Sequence, residues 1–133
     1  MENTGKLIAL GKTTEELASI DSLRGSIGWG AGSWFLGAMV ADGGVVLASL
    51  DDEREPVAMG GASNCGSFGF VCNMVVRPEM KRRGLGRTVF EGLMSWHREQ
   101  SMATVQLEAT EEGKPLYEQY GFSTRWESVS GSM

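Results

Sequence analysis

The sequence predicts an α/β (α+β) domain with a mixed, mostly antiparallel central sheet flanked by helices, in the order β-α-α-β-β-β-α-β-α-β. Three observations predict it. Apolar residues recur at helical spacing in two segments, Leu17–Ile27 and Leu85–Trp96. Between them lie three β-rich runs separated only by turn residues, the pattern of an antiparallel meander. The last of these runs then leads through a helix into another strand, a βαβ unit that forces one parallel pairing.

Taken in order, Lys6–Gly11 reads as a first strand. Thr13-Thr14-Glu15-Glu16 is a capping box, in which the Thr13 hydroxyl and the Glu16 carboxylate satisfy free backbone donors. It opens a helix carrying Leu17, Ile20, Leu23 and Ile27 on one side, ended by Gly25 and Gly28. Gly28-Trp29-Gly30-Ala31-Gly32 is a flexible loop, and Ser33 caps a short helix from Trp34 to Ala41. Asp42-Gly43-Gly44 is a turn. Strands follow at Val45–Leu50, Pro56–Ser63 and Phe68–Val76, with Asn64-Cys65-Gly66-Ser67 as a hairpin turn and Pro78 as the stop. A helix from Gly86 to Ser101 places Leu85, Val89, Phe90, Leu93 and Trp96 on one face. His97, among Trp96, Arg98 and Glu99, is expected at the surface. Thr104–Ala109 is a strand, Pro115–Tyr120 a short helix closed by Gly121, and Phe122–Val129 a last strand.

The 133 residues suit one domain spanning 1–133, with no repeat or linker inside it. No apolar run approaches the roughly 18–20 residues that cross a bilayer. Met1-Glu2-Asn3-Thr4 lacks the basic start and apolar stretch of a signal peptide, so the expected location is the cytoplasm, away from membranes. Cys65, Cys72 and the single His97 are too few for a zinc cluster or a disulfide framework. The cysteines are expected as buried small residues on neighbouring strands, and no metal is expected. Net charge is −5 but uneven: residues 77–87 hold five basic side chains against Glu79, a local +4, which leaves −9 on the rest. A nucleic-acid surface wants a broad basic face, which is missing. One short basic patch suits a small polyanion, and the acidic remainder suits a neutral or cationic partner molecule.

The patch has an informative context. Val75 and Val76 end a strand; Arg77-Pro78-Glu79-Met80-Lys81-Arg82-Arg83-Gly84-Leu85-Gly86-Arg87 is a basic, glycine-bearing loop running into a helix. First-turn N–H groups have no intrahelical partner and sit at the positive end of the helix dipole, which makes an anion site. Gly84 and Gly86 let the backbone approach the anion, and Lys81, Arg82, Arg83 and Arg87 surround it with charge. A diphosphate is the natural guest. Two nucleotide motifs fail: the P-loop glycine expected before Gly11-Lys12-Thr13 falls on Lys6, and the third glycine of a dinucleotide fingerprint falls on Val89.

At this point the chain resembles the GNAT superfamily of N-acetyltransferases. The family loop reads Gln/Arg-x-x-Gly-x-Gly/Ala after a Val-x-Pro-like strand end; here it is Lys81-Arg82-Arg83-Gly84-Leu85-Gly86 after Val76-Arg77-Pro78, with Lys81 departing from the usual first residue. Leu116-Tyr117-Glu118-Gln119-Tyr120-Gly121-Phe122 resembles the family's Leu-Tyr-x-x-x-Gly-Phe, after one helix and one strand. The resemblance covers Phe68–Phe122; the first 65 residues match in element order alone. It implies acetyl-CoA as cosubstrate and direct transfer to a primary amine of a small molecule. It implies that Met74, Val75 and Val76 offer strand backbone to the pantetheine arm, where the strands Phe68–Val76 and Thr104–Ala109 splay apart. It further implies that Lys81 to Thr88 hold the pyrophosphate and that Tyr117 lies near the thioester sulfur. Many members are dimers, so a homodimer is compatible with it.

The chemistry needs a neutral nitrogen, a polarised thioester carbonyl and a stabilised thiolate. An alkylamine with a pKa near 10.4 is mostly protonated at pH 7, so a base or water chain must take its proton. The N–H of Met74 or Val75 is a candidate oxyanion donor. A phenol near 10 and a thiol near 8.5 make full proton transfer from Tyr117 uphill by roughly 2 kcal/mol, so Tyr117 is expected to donate a hydrogen bond or relay a proton. Phe68–Val76 has no carboxylate where several relatives keep a glutamate, which leaves Glu108, on the other strand of the gap, as the candidate base. Asn73 is a candidate to position a water; Trp29 and Trp34 flank the glycine-rich loop and are candidates to line the acceptor pocket, or to be core. Two other readings stay open: a protein N-terminal or lysine acetyltransferase, and a catalytically silent acyl-CoA sensor.

Overall fold

The structure, a computed structural model, describes residues 7–108, 113–125 and 128–132. A first strand, β1 (Ile8–Leu10), precedes helix α1 (Thr14–Gly25). Thr13 is the α1 N-cap, its hydroxyl accepting from the Glu16 N–H at 3.1 Å. The reciprocal half of the capping box differs: the Glu16 carboxylate accepts from Gly11 and Lys12 at 3.0 and 2.9 Å, further back along the chain than expected. Helix α2 (Ser33–Ala41) starts from Gly32, and Ser33 is its first residue rather than its cap. Its start is held instead from α1, where Asp21 accepts from the N–H groups of Gly32 and Ser33 and from the Ser33 hydroxyl. A side chain brought from another helix satisfies these orphan donors as a local cap would.

The meander follows as β2 (Val45–Leu50), β3 (Pro56–Asn64) and β4 (Gly69–Val76). A 3₁₀ turn at Pro78–Met80 leads to α3 (Leu85–Glu99), then β5 (Thr104–Glu108) and α4 (Lys114–Glu118). The final segment, expected as one strand, is two: β6 (Ser123–Arg125) and β7 (Ser128–Ser132) pair antiparallel, so the chain reverses between them. No Gly, Pro, Asn or Asp marks that reversal. The sheet runs β1-β2-β3-β4-β5-β7-β6, and β4–β5 is its parallel pair.

Helices cover both faces. Ile20 and Leu23 of α1 and Leu36 of α2 pack with Val46, Ala48, Met59 and Val75 on one side. On the other, α3 packs Val89, Phe90 and Leu93 against Val57, Val71, Val105 and Leu107. The α3 stripe continues past expectation, to Met94 and His97. His97 is fully buried and not at the surface, because it extends the spacing Leu85, Val89, Leu93 by four. The cysteines also depart from expectation: Cys65 is exposed in the hairpin and Cys72 is half-buried.

One irregularity sets the direction of the second half of β4. Met59 pairs with Val75 and Gly61 with Cys72, so Asn73 and Met74 together face Gly60. This is a β-bulge, with Asn73 in the left-handed region at φ 56°. The extra residue reverses the alternation of side chains. Val71, Met74 and Val76 therefore all point to the α3 side, while Cys72 and Val75 face α1 and α2. Gly60 makes room for the bulge, since a Cβ there would collide with the Met74 sulfur and lie 2.7 Å from Leu93 Cδ1.

Candidate active site

β4 and β5 pair only at Gly69–Val105, Phe70–Gln106 and Val71–Leu107. Beyond Val71 the bulge bends β4, and among the described residues no strand pairs with the β5-facing edge of Met74, Val75 and Val76. A cleft of about 870 Å³ opens there. It gathers Met74–Val76 of β4, the loop at Lys81 and Arg82, the α3 start at Gly84–Arg87, and Leu116 and Tyr117 of α4. Ile27 and Trp29, from the loop after α1, also border it.

The start of α3 is open on the cleft side and carries no side-chain cap. Gly84 is the N-cap with φ 79°, a left-handed conformation that favours glycine, and no side chain caps the helix. The first intrahelical bond runs from the Thr88 N–H to the Gly84 carbonyl, so the N–H groups of Leu85, Gly86 and Arg87 carry no capping side chain. At Gly86 a Cβ would come within 3.3 Å of Val76 Cγ2, so glycine lets the helix start lie against the end of β4. No acidic residue sits in that first turn. Unshielded donors, bare backbone and basic side chains on one wall fit a diphosphate.

Residues 17–122 match the model of the acetyltransferase (GNAT) family, most of the chain. The chain belongs to the GNAT acetyltransferase family. It is accordingly an acyltransferase enzyme that acts with coenzyme A. Among solved structures, the chain resembles the ribosomal-protein-S18-alanine N-acetyltransferase of Escherichia coli, at 16% identity and TM-score 0.78 over 96% of each chain. It resembles the PaiA N-acetyltransferase of Thermoplasma acidophilum in complex with coenzyme A at 9% identity and TM-score 0.75, over 96% of this chain and 99% of that one. An aminoglycoside 6'-N-acetyltransferase complexed with coenzyme A matches at 13% identity and TM-score 0.78, over 96% of each. At such identities these likenesses speak for the fold alone. No curated protein matches the sequence significantly.

In this acetyltransferase Tyr117 is 5% exposed. Phe90 of α3 holds it in an aromatic cluster, with ring centroids 5.0 Å from Tyr117, 5.1 Å from Tyr120 and 5.7 Å from Phe122. Burial pushes the Tyr117 hydroxyl up to about 12. The side chain is thus a neutral hydrogen-bond donor at the cleft wall throughout the physiological range. Arg87 lines the cleft, but its guanidinium also donates to Gln119 at 2.6 Å and to the Tyr120 hydroxyl at 2.9 Å, tying α3 to the turn after α4. That hydroxyl in turn donates to Glu91.

Several expected site residues stand apart from the cleft lining. Arg83 is exposed, and the Thr88 hydroxyl bonds back to the Gly84 carbonyl at 2.9 Å. Trp34 is 74% exposed on α2, borders a separate depression beside Gly11 and Val40, and is neither core nor cleft. Its neighbour Phe35 faces solvent too, and α2 buries only Ser33 and Leu36. The Asn73 side-chain oxygen accepts from the Arg24 guanidinium. Glu108 ends β5, and its side chain lies outside the described residues. Conversely, Ile27, Leu116 and Gly113 border the cleft without having been anticipated. Leu116 had a signal, being the first residue of the Leu-Tyr motif. Among the described residues no helix is long and apolar enough to cross a membrane, and no three His, Cys, Asp or Glu converge as a metal site.

Proposed function

We propose that this enzyme transfers the acetyl group of acetyl-CoA to the primary amine of a small molecule, by direct attack in a ternary complex. The observation that carries the reading is one cleft shared by the uncapped α3 start, the end of β4 beyond its pairing with β5, and the buried Tyr117. Acetyl-CoA supplies an acetyl thioester and a thiolate leaving group. The N–H groups of Leu85, Gly86 and Arg87, with Lys81 and Arg82, hold its diphosphate. The backbone of Met74–Val76 pairs with its extended arm as a strand would, and a Met74 or Val75 N–H polarises the thioester carbonyl. Tyr117 donates a hydrogen bond toward the sulfur. Complete transfer of its proton to a thiolate near 8.5 would be uphill by roughly 5 kcal/mol from its buried value, so hydrogen bonding is its role.

Ile27 and Trp29 border the acceptor end, and the Trp29 loop is fastened to β4 through Arg24. A fastened loop favours a compact acceptor over a peptide laid in a groove. The proton of the attacking amine leaves to Glu108 or to water, and we place the enzyme in the cytoplasm. Thiol release from acetyl-CoA with a panel of a polyamine, an aminoglycoside, free amino acids and a peptide with a free N-terminus tests this. Turnover with a small amine is expected. Turnover with the peptide alone would favour a protein acetyltransferase, and tight coenzyme binding without thiol release would favour a sensor.

A further inference from the structure

The loop between α1 and α2 and the bulge of β4 are separate elements, and Asn73 of the bulge lies 49 residues after Arg24. Arg24, in the last turn of α1, joins them. Its Nε donates to the Gly30 carbonyl at 3.1 Å, and its Nη1 donates to the Asn73 side-chain oxygen. The guanidinium carbon lies 5.1 Å from the centroid of the Trp29 ring. Gly32 leaves space for it, since a Cβ there would meet Nη2 at 2.8 Å and Cζ at 3.0 Å. Asn73 is the left-handed residue of the bulge, and Met74 and Val75 follow it into the cleft. Trp29 borders the same cleft.

We propose that Arg24 is a positioning residue, which locks the acceptor-side loop at Trp29 to the Asn73 bulge and so aims the Met74–Val75 backbone into the cleft. The planar guanidinium is what the arrangement requires. One fork reaches a carbonyl and an amide oxygen while its central carbon sits over an indole, and a lysine ammonium cannot do all three. The bulge gains a fixed direction because its irregular residue is held by its own side chain. The proposal rests on the coenzyme reading for its consequence, but the clamp itself does not.

Hydrogen exchange of the whole chain, read by mass spectrometry, separates the two. Without coenzyme, Arg24→Ala and Arg24→Lys should both speed exchange at least tenfold in residues 28–32 and also in residues 73–75. Unchanged exchange in either segment, or wild-type exchange restored by lysine, overturns the clamp. With coenzyme A added, wild type should gain protection in residues 74–76 and in residues 81–88. The variants should keep the second and lose the first, a split that general loosening of the fold would not produce. Equal effects on both segments, or full retention of both, overturn the positioning role. If wild type gains no protection anywhere, the coenzyme reading fails, and the clamp is judged on the coenzyme-free comparison.

Discussion

Tyr117 and His97 are both buried ionisable groups, and burial acts on them in opposite directions. Burial disfavours the charged form, so the phenol rises to about 12 while the imidazole falls below its ordinary value. Under the proposed function the consequence for Tyr117 is catalytic. Tyr117→Phe should lower kcat by about 10²-fold while coenzyme affinity changes less than about threefold. Equal activity in steady-state assays would remove the hydroxyl from the mechanism. For His97 the consequence is stability. Its Nε2 lies 3.3 Å from the Phe70 carbonyl, and its Nδ1 is buried without a partner among the described residues. The unfolded chain takes a proton near pH 6.5, before the folded one does. Stability is therefore full above that pH and falls as pH drops through the lower folded value. Urea unfolding of wild type and His97→Phe between pH 5 and 7.5 should show this slope in wild type alone, since the chain has one histidine. The same slope in both would refute it. The chemistry of these two residues was legible unequally. The motif singled out Tyr117, whereas His97 was hidden by its charged neighbours, although its spacing from Leu93 places it on the buried stripe.

At the scale of elements, regular structure followed from periodicity, and the departures followed from tertiary contacts. The strand Val45–Leu50 is observed with its expected bounds, between the Asp42-Gly43-Gly44 turn and the charged turn after it, and α3 begins within a residue of expectation. The β4 bulge left little mark on the sequence. Asn73 is a residue type that tolerates φ 56°, but tolerance is not demand, and the bulge is fixed by Gly60, Arg24 and the register of β3. Asp21 starting α2 from α1, and β7 inserted between β5 and β6, are likewise long-range events with no local signal. Gly69 shows how close the packing is where β4 meets α3. A Cβ there would lie 2.5 Å from His97 Cε1 and Nδ1. Gly69→Ala should destabilise by about 1–3 kcal/mol, read as a lower unfolding midpoint in denaturant. An unchanged midpoint would show that the ring can move aside.

Across the whole molecule, charge and topology lead to one place. The basic loop that carries a local +4 in an otherwise acidic chain opens into the cleft, next to the parallel β4–β5 pair. The order of elements up to α4 was legible because turn residues separate them, whereas the division of the last segment into β6 and β7 carried no such mark. The end of the cleft that we propose for the acceptor was not legible, because Ile27, Trp29 and the bulge are brought together only by the fold. The central claim is that the first turn of α3 binds the diphosphate of coenzyme A through bare backbone donors. Calorimetric titration of coenzyme A into wild type and Gly84→Glu tests it most directly. The account predicts saturable one-to-one binding by wild type and none by the variant, whose carboxylate would stand in the anion site. No binding by wild type, or the same affinity in both proteins, would contradict it.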